Sequence, residues 1–221
     1  MHSWLAVLMD LDQTLIDSKQ AIVECFKVAH RRVLGTELPE TRLMALWGRP
    51  LEDQMAELGG AARAAELVRV YREHLITLDH LIHLYDGWPR VLTELRRRGY
   101  RRAVVTSKGR VAALRHLALH GLEDWMEVVV TAEDTDNHKP SPEPLLLAAG
   151  RLDISPACCL VIGDSPWDIA AARRAGMSAA LAEWGGYDPE AFTGDAADPD
   201  IHLPNPESLL AICPPLPTDQ R

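Results

Sequence analysis

Aromatic side chains make up only 5% of this 221-residue chain, with two Phe, four Tyr and six Trp. Its interior must therefore be filled mostly by Ala, Leu and Val. Cysteine is also scarce. Cys25, Cys158, Cys159 and Cys213 are too few and too irregularly spaced for a disulfide framework or a zinc site, which fits a reduced, cytoplasmic setting. Positive charge is in the minority: 23 Lys and Arg stand against 32 Asp and Glu, for a net charge of −9. A phosphate-backbone binder usually carries a basic face, so nucleic acid is not the expected partner. A small anionic substrate stays open, because a bound divalent cation can locally reverse the field. No apolar run approaches the length of a membrane span, so no membrane partner is expected. No basic region followed by an apolar stretch marks a signal peptide. Repeats of solenoid period are absent, and the nine histidines show no metal-ligand spacing. The expectation is a soluble protein.

What is present is a rhythm. Short, nearly continuous apolar runs at residues 4–9, 103–105, 128–130, 158–162 and 179–182 have strand length and little polar alternation, as expected of strands covered on both faces. Helical patterns fall between them at 88–98, 111–120 and 169–175, each closed by a glycine: Gly99, Gly121 and Gly176. Strand, helix and terminal glycine in succession predict right-handed crossovers and an α/β fold with a doubly wound parallel sheet. Residues 17–85 break the rhythm with helices alone, at 19–33, 50–58 and 61–78. They predict an all-helical cap inserted after the first strand, with residues 1–16 and 86–213 forming the core. Asp17 and Asp86, at the crossings, are candidate hinge residues. The proline-rich stretch 214–221 reads as a frayed tail.

Ligands of open parallel sheets bind beyond the carboxyl ends of the strands, and the polar clusters of this sequence fall there. The first strand runs into Asp10-Leu11-Asp12-Gln13-Thr14 and the second into Thr106-Ser107-Lys108. Lys139 lies in the loop after the third, and the fourth runs into Gly163-Asp164-Ser165-Pro166-Trp167-Asp168. Taken singly, each cluster has a plain reading. Asp10 and Asp12 can be turn residues, Asp164 and Asp168 helix-start residues, Thr106 and Ser107 a helix cap, and Lys139 solvated surface. A calcium loop from Asp10 fails, since Leu15 and Ala21 occupy its glycine and glutamate positions. Together, three carboxylates, a hydroxyl pair and a lysine are expected to converge on one crevice. Glu133, Asp134 and Asp136 read as a solvated acidic loop, and Trp47 as packing within the cap. Arg49 follows a cap helix and could reach a substrate anion. Lys108, beside Thr106 and Ser107, is a further candidate for substrate binding.

The four segments, in this order and with this cap position, resemble the haloacid dehalogenase superfamily, and within it the phosphoglycolate phosphatase-like enzymes with a small helical cap and their pyrophosphatase relatives. Gln13 departs from the pattern, since a glycine is usual there. The resemblance implies a Mg²⁺-dependent phosphatase acting on a small phosphorylated metabolite through an aspartyl-phosphate. In it Asp10 is the nucleophile, and Asp12 the general acid and base. Thr106, Ser107 and Lys139 hold the phosphoryl oxygens. Asp10, Asp164 and the backbone carbonyl of Asp12 hold the ion, and Asp168, one helical turn after Asp164, is expected to orient that acid or a metal-bound water. Dehalogenases of this fold lack the second aspartate of the first motif. Phosphonate hydrolases need a cap lysine; none occurs from Val28 to Ser107, and Lys19 and Lys27 sit in the first cap helix, which makes that reading weak. Phosphoglucomutases usually carry a histidine that is missing between Asp10 and Ala29. Pyrophosphatase or phosphomutase chemistry, or a catalytically silent regulatory module, are the alternatives. The last is disfavoured because a retired site has no reason to keep several costly charges.

Overall fold

The computed structural model describes residues 4–196 and 198–217. Along the chain, strand β1 (Ala6–Met9) is followed by the two-residue strand β2 (Ile16–Asp17). Helices α1 (Lys19–Leu34), α2 (Glu40–Met44), α3 (Leu51–Gly59) and α4 (Ala61–Leu75) come next, then the short strand β3 (His83–Leu84). The remainder alternates: α5 (Trp88–Arg98), β4 (Arg101–Val105), α6 (Arg110–Leu119), β5 (Val128–Val130), α7 (Glu143–Leu152), β6 (Cys159–Gly163), α8 (Pro166–Arg174), β7 (Ser178–Ala182), β8 (Ile201–Leu203) and α9 (Leu209–Ile212).

The main sheet has the order β5-β4-β1-β6-β7-β8, with every pair parallel. It is the doubly wound α/β sheet that the apolar runs predict. The sequence rhythm missed the edge strand β8 and helix α7. The three residues of β8 include an exposed histidine, and the start of α7 lies within a Pro-rich stretch. β1 occupies the middle of the sheet, with β4 and β6 on either side, so the winding direction changes at its carboxyl end. All four residues of β1 and all five of β6 are buried, which is why neither shows polar alternation. Ala6 and Leu8 join one apolar cluster with Leu145 and Ala148 of α7 and Ile169 and Ala172 of α8. Side chains alternate across a strand, so Val7 and Met9, equally buried, point to the opposite face. Helix α5 ends where its sequence dictates. Gly99 takes a left-handed conformation with φ 94°, and Arg96, Arg97 and Arg98 place positive charge at the negative end of the helix dipole.

By contacts the chain divides into two compact units, residues 17–83 and the rest. Leu84 and Tyr85 group with the α/β unit rather than with the helices. The backbone N–H of Tyr85 donates to the Leu15 carbonyl at 3.0 Å, which ties it to the first-strand turn. Within the helical unit, α1 packs on α4 and α3 on α4. Phe26 and Tyr71 meet edge to face at 5.1 Å between α1 and α4, a geometry that aromatic pairs prefer. Trp47 is half-buried rather than a core residue. Asp17 accepts from the Lys19 N–H at 3.2 Å, at the start of α1.

The expected frayed tail needs correction as far as it is described. The Leu216 N–H donates to the Arg98 carbonyl at 2.9 Å, the Tyr100 hydroxyl donates to the Pro214 carbonyl at 2.9 Å, and Leu216 is buried. An apolar side chain with a partner for its backbone outweighs the proline-rich composition. Residues 218–221 lie outside the described part. Among the described residues, no helix is long and apolar enough to cross a membrane.

Candidate active site

Because the sheet is parallel, the residues that follow β1, β4, β5, β6 and β7 all emerge at one edge. Asp10 follows β1, and its N–H donates to the Ile162 carbonyl of β6 at 2.9 Å, extending the ladder by one residue. Asp164 follows β6 directly. Asp168 lies in the first turn of α8, where Ser165 and Asp168 form a reciprocal capping box. The Ser165 hydroxyl donates to Asp168 Oδ2 at 2.5 Å, and the Ser165 N–H donates to the same oxygen at 3.2 Å. That box holds one oxygen of the Asp168 side chain and leaves the other for a second partner.

Lys139 closes the arrangement. Its ammonium donates to Asp10 Oδ1 at 2.8 Å, to the Val105 carbonyl at the end of β4 at 2.7 Å, and to Asp168 Oδ1 at 2.5 Å. Three acceptors for three protons satisfy a buried ammonium completely. Asp10, Asp164 and Asp168 each offer a carboxylate oxygen within 4.8 Å of the others. Burial would lower the pKa of Lys139, but Asp10 and Asp168 outweigh it and hold the lysine above its usual range. For Asp10 burial is the largest influence. It raises the carboxyl to about 7, against the pull of Lys139 and with the push of Asp168 and Asp12. Asp164 is also raised well above the ordinary carboxylate range, by burial first and then by Asp168 and Asp10. One lysine does not neutralise this many acids.

An oxygen-only donor set short of positive charge fits a hard divalent cation, which takes carboxylates and carbonyls. Both Asp168 oxygens are already engaged, by Lys139 and Ser165, so Asp10 and Asp164 are the carboxylates better placed to hold such an ion. The Thr14 hydroxyl donates to Asp164 Oδ1 at 3.4 Å and helps to orient that acid.

The other candidates fall out differently. Thr106 is buried, and its hydroxyl oxygen accepts from the Lys108 N–H at 3.1 Å. Ser107 is half-buried on the same turn. Neither caps α6, whose N-cap is Gly109. Lys108 turns toward Asp12, donating to both of its oxygens at 2.7 and 2.8 Å. Arg49 lies in the helical unit, where its guanidinium is 2.6 Å from Glu57. The acidic loop is only partly solvated. Asp134 is 4% exposed at its side chain and pairs with Arg110 and Arg151, each at 2.8 Å.

Sequence reasoning missed the turn after β7. Trp184 Nε1 donates to the Thr14 carbonyl at 3.0 Å, and Trp88 Nε1 donates to the same oxygen at 2.9 Å. Gly185 lies so close to Asp164 that a Cβ there would overlap that side chain, and it would come within 2.8 Å of the Gln13 carbonyl. A Trp-Gly-Gly run just past a predicted strand was the available signal.

A doubly wound parallel sheet whose strand ends gather three acids around one buried ammonium defines the class, an α/β protein with its candidate site at the carboxyl ends of the strands. The chain belongs to the haloacid dehalogenase-like hydrolase family, whose model matches residues 7–182. It is 36% identical over 187 residues to the plasmid phosphoglycolate phosphatase of Cupriavidus necator, covering 81% of each chain. It is 32% identical over 211 residues to pyrophosphatase PpaX of Halalkalibacterium halodurans, covering 93% of this chain and 95% of that one. Among solved structures, a hydrolase from Pseudomonas syringae matches with a TM-score of 0.81 and 27% identity, over 94% of this chain and 96% of the other.

Proposed function

We propose that this hydrolase is a Mg²⁺-dependent phosphatase for a small phosphorylated metabolite, phosphoglycolate phosphatase-like, working through an aspartyl-phosphate on Asp10. The observation that carries the reading is the Lys139 ammonium shared between Asp10 and Asp168, with Asp164 beside them. An Asp10 oxygen attacks phosphorus, forming one P–O bond as the bond to the leaving oxygen breaks. Asp12, protonated, gives its proton to that oxygen. Asp12 then takes a proton from water, whose oxygen attacks phosphorus and releases phosphate and the free Asp10 carboxylate. Lys139, Thr106 and Ser107 hold the transferring oxygens. Asp10, Asp164 and the Asp12 carbonyl would hold Mg²⁺, and Asp168 positions them through Lys139. Bound there, the ion supplies positive charge that offsets repulsion between the acids and the phosphoryl group.

Pyrophosphate belongs among the substrates to test, because a relative 32% identical over most of its length is named a pyrophosphatase. Four free cysteines, three of them buried, are consistent with a cytoplasmic setting. The test is turnover of p-nitrophenyl phosphate, phosphoglycolate and pyrophosphate with Mg²⁺ and then with EDTA. Metal-dependent phosphate release on a monoester supports the reading. Its absence across a panel of phosphorylated metabolites overturns it in favour of a silent binding module.

A further inference from the structure

Gln13 occupies a position whose backbone suits glycine. Its φ is 60°, in the left-handed region, and only one other described non-glycine residue, Asp153, shares that feature. Glutamine has no intrinsic preference for this conformation, so something around it must hold it there. Gln13 is 2% exposed, and its side-chain Oε1 accepts from the Tyr85 hydroxyl at 3.1 Å. The Gln13 N–H donates to the Ile16 carbonyl at 2.7 Å, and Asp12 bridges to Ile16. Tyr85 is itself held from two sides: its N–H by the Leu15 carbonyl at 3.0 Å, and its ring edge-on to Trp184 at 6.4 Å. Trp184 returns to the same turn through the Thr14 carbonyl. The turn that carries Asp12 on one side and Thr14, the partner of Asp164, on the other is thus pinned by a side-chain hydrogen bond from outside it.

We propose that Gln13 and Tyr85 act as a positioning pair that sets the Asp12 carboxyl for proton transfer. Neither residue touches the reacting atoms. The pair acts through the turn, doing with an anchored amide what a glycine would do by conformational freedom. The inference deepens the phosphatase reading and rests on it.

The experiment uses the full chain with Mg²⁺ and p-nitrophenyl phosphate, and compares wild type with Tyr85→Phe, Gln13→Ala, Gln13→Gly and the double variant Gln13→Gly/Tyr85→Phe. Tyr85→Phe keeps its melting temperature within a few degrees and its KM within about twofold, while kcat falls about tenfold, inside the ~100-fold loss that a 1 Å misplacement can cause. Gln13→Ala, which keeps the strained Cβ and loses the anchor, is slower than Gln13→Gly. The double variant recovers most of the kcat lost in Tyr85→Phe, because glycine needs no anchor. A purely structural bond would lower melting temperature without that rescue. An active wild type with an equally active Tyr85→Phe, or a double variant as slow as the two single losses multiplied, overturns the pair alone. If Tyr85→Phe does not fold, Gln13→Ala as fast as Gln13→Gly overturns it. A wild type without turnover overturns the phosphatase reading and the pair with it.

Discussion

Lys108 holds Asp12 by both carboxylate oxygens, at 2.7 and 2.8 Å, with side-chain exposures of 8% and 21%. A carboxylate gripped in this way is favoured as the anion, because both contacts are made to its charged form. In the proposed reaction the phosphoryl group would offer the ammonium replacement acceptors, coupling substrate binding to release of Asp12 through a single lysine. Lys108→Met is expected to lower kcat/KM about 100-fold, the scale for losing one donor to a developing charge. Steady-state kinetics check this, and a variant within threefold of wild type would show that the lysine is a bystander.

Asp10→Asn is expected to abolish turnover while leaving the fold intact or more stable. Burial already pushes Asp10 toward its neutral form, to about 7, so an uncharged amide of the same shape loses little on folding. Melting temperature and turnover are the paired readouts. Near-normal rates would remove Asp10 from the role of nucleophile.

Gly185→Ala is expected to abolish metal-dependent turnover with only moderate loss of stability. The new Cβ would overlap Asp164 and crowd the Gln13 carbonyl at 2.8 Å, so the acid must move. Interiors are packed too tightly to absorb such a shift locally. Titration with Mg²⁺ followed by calorimetry should show weakened binding, and wild-type affinity would contradict the argument.

Asp134 gives a prediction about pH. Burial acts to raise its pKa, but the N–H and hydroxyl of Thr131, with Arg151 and Arg110, outweigh it and hold the carboxyl well below the usual range. A folded pKa lower than the unfolded one adds stability above the unfolded value of about 3.9, and that stability is lost as pH falls toward the folded value. Asp134→Asn should therefore cost about 2 kcal/mol at pH 7, the scale of hydrogen bonds to a charged group. The gap to wild type should narrow in urea titrations toward pH 3. A gap that widens on acidification would reverse the sign.

Much of the candidate site's placement was legible because its residues are local in sequence: Asp10 with Asp12, Thr106 with Lys108, and Asp164 with Asp168 each lie within a few residues, just past an apolar run. The order of those runs also conveyed the parallel sheet. What stayed hidden depends on partners far along the chain. Lys108 was read as a candidate for substrate, and its ion pair with Asp12 was not foreseen, because nothing near position 108 reveals that Asp12 lies opposite. Arg49 was read in the same way, with Glu57 unconsidered. Asp134 was read as solvated, although Arg110 and Arg151 cover it from two different helices. Helix α7 was missed because its proline-rich lead-in resembles a loop, although proline in a first turn is well tolerated.

The central place of β1 has a consequence for the order of assembly during synthesis. Ala6 pairs with Arg101 on one side and with Cys159 on the other, so of the interior strands of this sheet β1 waits through the longest stretch of chain for its second neighbour. At roughly 5–20 residues per second, its four apolar residues wait on the order of ten seconds for the second partner.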